Sequence, residues 1–566
     1  MNCSTRFKLT TVALLVGSAM NANAALYKVV EVDPALNGSS STYNEAYGVA
    51  IQKGDVAFET GCFANGANCT DDQFKLALET RVSVDGVSYR EELPFAMDAT
   101  FGYIQEFDDF ERYCYNELRY STCETWASIH WAPWYKELSK DYTSNALAFV
   151  EKDLDAGEEE PNAYQNKYNN VINSLTSSGL PVGNQSVLKD DKTDLETRNT
   201  VVAPVTPQGD FYQSRAWKTD GTYTVGSVSS KTGNENGTHY TSKAAIWDAA
   251  GVVKQLDWPQ VADRDGERLA QGSMRDVVVD STNNKVYGVG YNTYADDNYI
   301  NASVFVGTFD ASGTFENSSW DTKQVSGAQM KISGDIIHSN SVVTNVNSNF
   351  IAIGEAKRAG GKPSEGSAAN RLFLVKDVRA ESVSATFLPE LGGIFFSGAG
   401  GKMGGINKYN EIVGQLDAED TREIDGKPRR KRAFILPYEA NGSVESRISI
   451  FDNKAWYLDD LTNGSNAPVE NNQYRIIDAT DINDAGVISA TAIKCEGGYD
   501  TTAHNSYCGE GSQEEKVVAV KLIPIANADA NNIEKRPVEK AAAERSGAGL
   551  GWLSLTLLVL FGFRRK

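Results

Sequence analysis

The chain has 566 residues, 75 of them acidic and 54 basic, for a formal net charge of −21. So acidic a body repels phosphate backbones instead of releasing their counterions, which argues against a nucleic-acid partner. Hydrophobic residues make up 41%, enough for a sizeable core, and the four histidines include no pair at metal-ligand spacing.

The N-terminus carries Arg6 and Lys8, an apolar run from Leu9 to Met20, and then Ala22-Asn23-Ala24. A positive start, an apolar stretch and a small-residue exit predict a secretory signal peptide over 1–24, with the mature chain beginning at Ala25. Cys3 leaves with it, and six cysteines remain as near neighbours: Cys62/Cys69, Cys114/Cys123 and Cys495/Cys508. An even count in an exported chain reads as disulfides, and local pairing is the simplest connectivity. A zinc site would want tighter Cys-x-x-Cys-type spacing, which no pair has.

Residues 25–99 read as a first β-repeat unit with a closing strand. Over 100–180 the character changes: Phe101 to Tyr142 is crowded with aromatics, and Tyr142 to Leu175 is polar and helix-compatible. This predicts a helical insertion pinned by Cys114 and Cys123. From 181 to 525 a short motif recurs, in which turn residues precede β-formers and a small residue. It reads NNKVYGVGYN at Gly290, NSNFIAIGEA at Gly354, NKYNEIVGQL at Gly414 and NDAGVISATA at Ala490, with weaker copies, TDGTYTVGSV at Gly226 and NEAYGVAIQ at Gly48. The intervals from Gly226 onward are 64, 64, 60 and 76 residues, and a second strand follows most copies. Such units suit the blades of a propeller, because one small sheet cannot bury both faces alone. The predicted fold is mainly β, a propeller-like array of about six units with a helical, disulfide-pinned insertion; β-sandwich repeats are the alternative.

Residues 526–545 read as a polar linker, and 546–566 as a C-terminal tail. The tail is a Gly/Ser spacer, an apolar run from Leu550 to Phe563, and then Arg564-Arg565-Lys566. That run is shorter than the roughly 20 residues of a spanning helix, which favours a removable sorting signal over a permanent anchor. The basic end would stay cytoplasmic.

The tail is similar to the Gly-Gly C-terminal sorting tails of Gram-negative exported proteins. There a rhomboid-type intramembrane protease (a rhombosortase) removes the tail, and the substrates often leave by type II secretion. Gly547, Ala548 and Gly549 occupy the processing region, with Ala548 where that family usually has a second consecutive glycine. The repeats resemble extracellular HAF repeats, which pair an I-N-x-x-G-x-(I/V)-V-G box with an A-F-(I/L)-W-type strand. Ile406-Asn407-Lys408-Tyr409-Asn410-Glu411-Ile412-Val413-Gly414 and Ile482-Asn483-Asp484-Ala485-Gly486-Val487-Ile488 match the box; Arg432-Ala433-Phe434-Ile435 matches the strand. Together these features resemble an uncharacterised family of secreted Gram-negative proteins, the domain-of-unknown-function 3466 type. The resemblance implies no activity.

Chemical motifs are sparse. H-E-x-x-H and G-x-S-x-G are absent. The run Ser397 to Gly405 fails as a phosphate loop, since Met403 stands where Ser or Thr must hold Mg²⁺; an inter-blade turn is expected instead. Arg429-Arg430-Lys431-Arg432 is either a solvated hairpin tip or a contact for an acidic polysaccharide or a phosphate-rich outer-membrane surface. Trp126, Trp131, Trp134 and Tyr135 are either a sugar-stacking platform or the small core of the insertion. These readings converge on an exported, surface or secreted β-repeat protein, more readily a binding module for glycan or an envelope component than an enzyme. The alternatives are a secreted hydrolase with its site at the propeller centre, and a purely structural surface protein. The implied partners are signal peptidase and the Sec machinery, a rhombosortase and the type II secretion system. Membrane contact is expected only through the tail, and no cofactor is called for.

Overall fold

A computed structural model describes residues 25–539, apart from 34–44, 82–105, 152–167, 358–369, 423–428, much of 116–145 and some shorter loop stretches. Seven antiparallel sheets of three or four strands succeed one another along the chain. The first strands of these sheets are Glu45–Ile51, Tyr168–Leu175, Gln213–Thr219, Ser273–Asp280, Ser341–Val346, Gly401–Ile406 and Tyr474–Ile482. Each packs against the next in a closed ring, so they are the inner strands of a seven-bladed β-propeller.

The apolar core is divided to match. Separate clusters lie between every two consecutive blades, as with Val182, Ala216 and Trp247 between blades 2 and 3. Both faces of a strand are therefore buried. In blade 5, Phe373 and Val375 face blade 4 while Leu372 and Leu374 face blade 6. This is why strands such as Arg371–Val375 and Lys431–Pro437 read as continuous apolar runs with little alternation.

The expected count of about six units is corrected to seven. The extra blade is blade 2, whose strands are Tyr168–Leu175, Pro181–Leu188 and Leu195–Val202. Its first strand, YNNVINSL, looked helix-compatible because it is polar. As an inner strand it places Asn173 and Ser174 at the channel. Ala146–Val150 is likewise a strand, the third of blade 1, so the expected helical stretch of 100–180 contracts. The insertion occupies the connection between the second and third strands of blade 1. Its described helix, Phe107–Tyr113, starts at a capping box between Glu106 and Asp109.

Ring closure is made by the N-terminus. Tyr27–Glu31 pairs antiparallel with Glu515–Pro524, giving blade 7 its outermost strand. Leu26 and Tyr27 are fully buried there.

The I-N box has a mechanical role at the turns between inner and second strands. Asn407 Oδ1 accepts from the Tyr409 and Glu411 backbone N–H groups at 3.0 and 3.1 Å, folding the turn of blade 6. Its Nδ2 then donates across the junction to the Asn483 carbonyl of blade 7 at 3.2 Å. Asn347 of blade 5 donates to the Asn407 carbonyl (2.9 Å), and Asn483 to the Gln52 carbonyl of blade 1 (3.2 Å). Gln52 continues to the Ser177 carbonyl of blade 2 at 2.7 Å. One amide side chain thus shapes its own turn and staples the next blade.

Disulfides join Cys62 to Cys69, Cys114 to Cys123, and Cys495 to Cys508. Residues 526–539, expected as linker, dock instead: Arg536 is buried, its backbone N–H donating to Asp460 (2.8 Å) and its Nε to the Asp459 carbonyl (2.8 Å). Among the described residues no helix is long and apolar enough to cross a membrane. Ala22, Ala24, Gly547, Ala548 and Gly549 lie outside the described residues.

Candidate ligand site in the central channel

Every inner strand is bulged. The pairing register skips Val49, Asn173, Trp217, Arg275, Thr344 and Thr480 in blades 1 to 5 and 7, and Gly404 with Gly405 in blade 6. A bulge leaves its extra residue out of the ladder and re-aims the side chain. Here all seven blades contribute a bulge residue to the wall of a single cavity of about 380 Å³ in the channel.

The repeated glycine is the sequence trace of this ring. Gly183, Gly226, Gly290, Gly354 and Gly414 each sit on the second strand, paired with the residue just before the bulge. A Cβ on Gly226 would lie 1.8 Å from the Arg215 carbonyl oxygen, and one on Gly290 would lie 2.0 Å from that of Ser273. The bulged strand presses its backbone into that space, so only hydrogen fits. In blade 1 the arrangement is reversed: Gly48 is on the inner strand, opposite Leu78. The Gly48 copy is thus not equivalent to the others. The Ser397–Gly405 run is an inter-blade turn only in its first part, at Ser397 and Gly398 between blades 5 and 6. Gly401–Ile406 is the inner strand of blade 6, and a Cβ on Gly404 would meet the Ala479 carbonyl of blade 7 at 2.0 Å.

Around the bulge ring the cavity is polar and aromatic. Tyr47, Trp217 and Tyr291 share it with Asn345, Asn370, Ser341 and Thr491, and with the charged Lys218, Arg275, Lys357, Lys402, Glu355, Asp478 and Asp481. Several of the charges also tie blades together. Lys218 of blade 3 pairs with Asp276 of blade 4 at 3.0 Å, and Asp276 accepts from the Val346 N–H of blade 5 at 3.0 Å. Glu355 of blade 5 accepts from the Met403 N–H of blade 6 at 2.8 Å. Asp481 of blade 7 accepts from the Ile51 N–H of blade 1 at 3.2 Å.

Burial raises the Asp481 carboxyl above the usual range, and Lys218 only partly offsets it. Burial disfavours the Lys218 ammonium, but Asp276 and Asp481 outweigh that and hold its pKa up. Lys53, buried with Lys218 nearby, is pushed down by both effects. Burial also lowers Arg275 to about 10. Among the described residues, no group of three or more His, Cys, Asp or Glu side chains is placed to hold a metal ion.

The basic run lies elsewhere and is not a free cationic tip. Arg429 is buried, 3.3 Å from both Asp417 and Asp420, and donates to the Gly398 carbonyl at 2.7 Å. Arg430 meets Glu419 at 3.1 Å, Lys431 pairs with Asp417, and Arg432 is 3.0 Å from Asp459. Each cation therefore has a carboxylate partner within this chain. Of the aromatics in the insertion, Trp131 packs between Phe110 (5.9 Å) and Tyr135 (5.8 Å), as a small core would; Trp126 and Trp134 lie outside the described residues.

Asp459 also belongs to the latch that holds residues 526–539. His504 Nε2 is 3.0 Å from Asp460 Oδ1, and its Nδ1 is 3.5 Å from Asp459 Oδ2. Burial disfavours the charged ring, but the neighbouring Asp459 and Asp460 carboxylates outweigh it and raise the His504 pKa. A raised folded-state pKa stabilises fully below the unfolded value of about 6.5 and is lost as pH climbs through the folded value. The urea midpoint of the wild type should therefore fall relative to that of His504→Gln as pH rises above about 6.5. A gap independent of pH between the two proteins would contradict this assignment.

A seven-bladed propeller with a polar, partly charged channel cavity is thus the class of protein defined. The chain belongs to the family described as a protein of unknown function (DUF3466), whose model matches residues 4–206 and 210–566. No curated protein matches it. Among solved structures, a GH32 beta-fructofuranosidase of Bombyx mori is similar at 8% identity, covering 87% of this chain and 92% of that one, with a TM-score of 0.23. A superposition that loose carries no argument.

Sequence reasoning placed no residue in the channel. The available signal was the motif glycine, which marks a bulge on the strand before it.

Proposed function

We propose that this protein is an exported binding module that holds a saccharide of the cell envelope or its surroundings in the central channel. The observation that carries this reading is the ring of bulges. Seven strands each depart from regular pairing to line one cavity, including the ring of Trp217 and the polar side chains of Asn173, Thr344 and Thr480. An aromatic face with converging amide and hydroxyl groups suits the apolar and hydroxylated faces of a sugar. Export by signal peptidase and the Sec machinery fits the N-terminal segment, and the six paired cysteines suit an oxidising compartment. Release by a rhombosortase, followed by type II secretion, fits the tail.

A second reading has its own observation. Asp481, with its carboxyl raised by burial, shares the cavity with Glu355 and Asp478. Glycoside hydrolysis uses a pair of carboxyl groups, one of them kept protonated to act as the acid. A glycan array probed with the purified mature chain, followed by a turnover assay on every retained glycan, separates the readings. Retention without turnover supports the binding module. Turnover abolished by Asp481→Asn replaces it with a hydrolase, and neither retention nor turnover would leave a structural role.

A further inference from the structure

Arg275 stands apart from the arginines that pair with carboxylates inside this chain. Arg429, Arg432 and Arg447 each have a carboxylate within 3.3 Å. Among the described residues, no carboxylate comes within ion-pair distance of Arg275 and its Nε has no hydrogen-bond partner; the Tyr291 hydroxyl and the more distant Glu355 are its polar neighbours. The bulge of blade 4 holds it in the cavity wall. Its guanidinium carbon lies 3.4 Å from the ring centroid of Trp217, the bulge residue of blade 3, and 5.4 Å from that of Tyr291. A guanidinium laid flat on an indole keeps its N–H edge available and its plane fixed. Lys357 and Lys402 line the same cavity, alongside the carboxylates of Glu355, Asp478 and Asp481.

We infer that Arg275 is the receptor for a carboxylate on the ligand, and that the channel takes an acidic saccharide of the uronic-acid class. This rests on the saccharide reading above and sharpens it. A planar carboxylate can take two parallel N–H···O bonds from the edge of a planar, pre-oriented guanidinium. The sugar ring that bears it then comes within reach of the amide and hydroxyl groups of the ring of bulges. The guanidinium has the Tyr291 hydroxyl and, farther off, the Glu355 carboxylate for company, and a ligand carboxylate would add a charge partner at hydrogen-bond distance.

The test is calorimetric titration of the mature chain with oligogalacturonate and with neutral oligogalactose of equal length. The acidic sugar is expected to bind at least tenfold more tightly. Arg275→Gln should abolish that preference, and Arg275→Lys should restore it only in part because it keeps the charge without the fork. Equal affinity of wild type for both sugars overturns the carboxylate inference and leaves the saccharide reading standing. Binding of citrate, weakened by Arg275→Gln, with no binding of either sugar, does the reverse. An undiminished acidic preference in Arg275→Gln also overturns the inference. Sulfated oligogalactose forms the last arm: binding as tight as that of the uronate would refute selection for a carboxylate.

Discussion

Deletion of residues 25–31 should abolish cooperative unfolding or leave a protein with little residual stability. Tyr27–Glu31 completes blade 7 from the N-terminal side by pairing with Glu515–Pro524, and so closes the ring. Leu26, Tyr27 and Val29 are buried in the cluster that joins blades 6 and 7. Leu26 and Val29 contribute about 1.5–3 kcal/mol each by burial, and the Tyr27 ring a comparable amount. The total of roughly 4.5–9 kcal/mol is of the same order as the whole stability of a typical domain. The deletion also bares a long edge strand, Glu515–Pro524, which favours aggregation. Urea unfolding followed by near-ultraviolet circular dichroism checks this. A truncated protein with the wild-type midpoint would mean that blade 7 is complete without its N-terminal strand.

The second large effect is expected at Glu411, inside the repeat box of blade 6. Arg447 donates to it in a fork, Nε to Oε1 at 2.6 Å and Nη2 to Oε2 at 2.7 Å, with both side chains almost wholly buried. Asn407 adds a third bond to Oε2 at 2.6 Å. Burial alone would depress the Arg447 pKa, but Glu411 outweighs it and holds the guanidinium charged. Arg447 further donates to the Asp484 carbonyl of blade 7 at 3.3 Å and lies 4.5 Å from the Tyr409 ring centroid. Glu411→Ala leaves this cation buried and uncompensated, and should destabilise by about 3–5 kcal/mol. Removing both charges with Glu411→Leu and Arg447→Met should recover most of that loss, because the desolvation cost goes with the pair. A single Glu411→Ala variant within about 1 kcal/mol of wild type would show a pair no stronger than an exposed one.

What could be read in the sequence follows from where each signal arises. The Gly226, Gly290, Gly354 and Gly414 copies were visible because a backbone clash permits nothing larger than hydrogen, so one residue type recurs at a nearly fixed interval. The Asn407 and Asn483 boxes were visible for a similar reason: each amide must accept within its own turn and donate to the next. Blade 2 escaped notice because its inner strand is polar, and because Thr176 stands at its turn in place of asparagine. The basic run at 429–432 concealed its ion pairs as well. Its partners Asp417, Asp420 and Asp459 are brought to it by strand pairing and by a neighbouring helix, which linear charge counting does not see.

The channel residues were the least legible. A bulge admits Val, Asn, Trp, Arg, Thr or Gly, so the ring leaves no shared residue type at the positions that matter. What it does leave is the glycine opposite. Pairing each motif glycine with its inner strand would have pointed to Trp217 and Arg275, and hence to a stacked guanidinium at the centre of the molecule.

A crystal structure of the mature chain with oligogalacturonate bound would test the account most directly. The sugar is expected within the ring of bulges, with its carboxylate on Arg275 and its hydroxyls near Asn173, Thr344 and Thr480. A sugar bound on the outer loops, with the channel filled only by water, would contradict it.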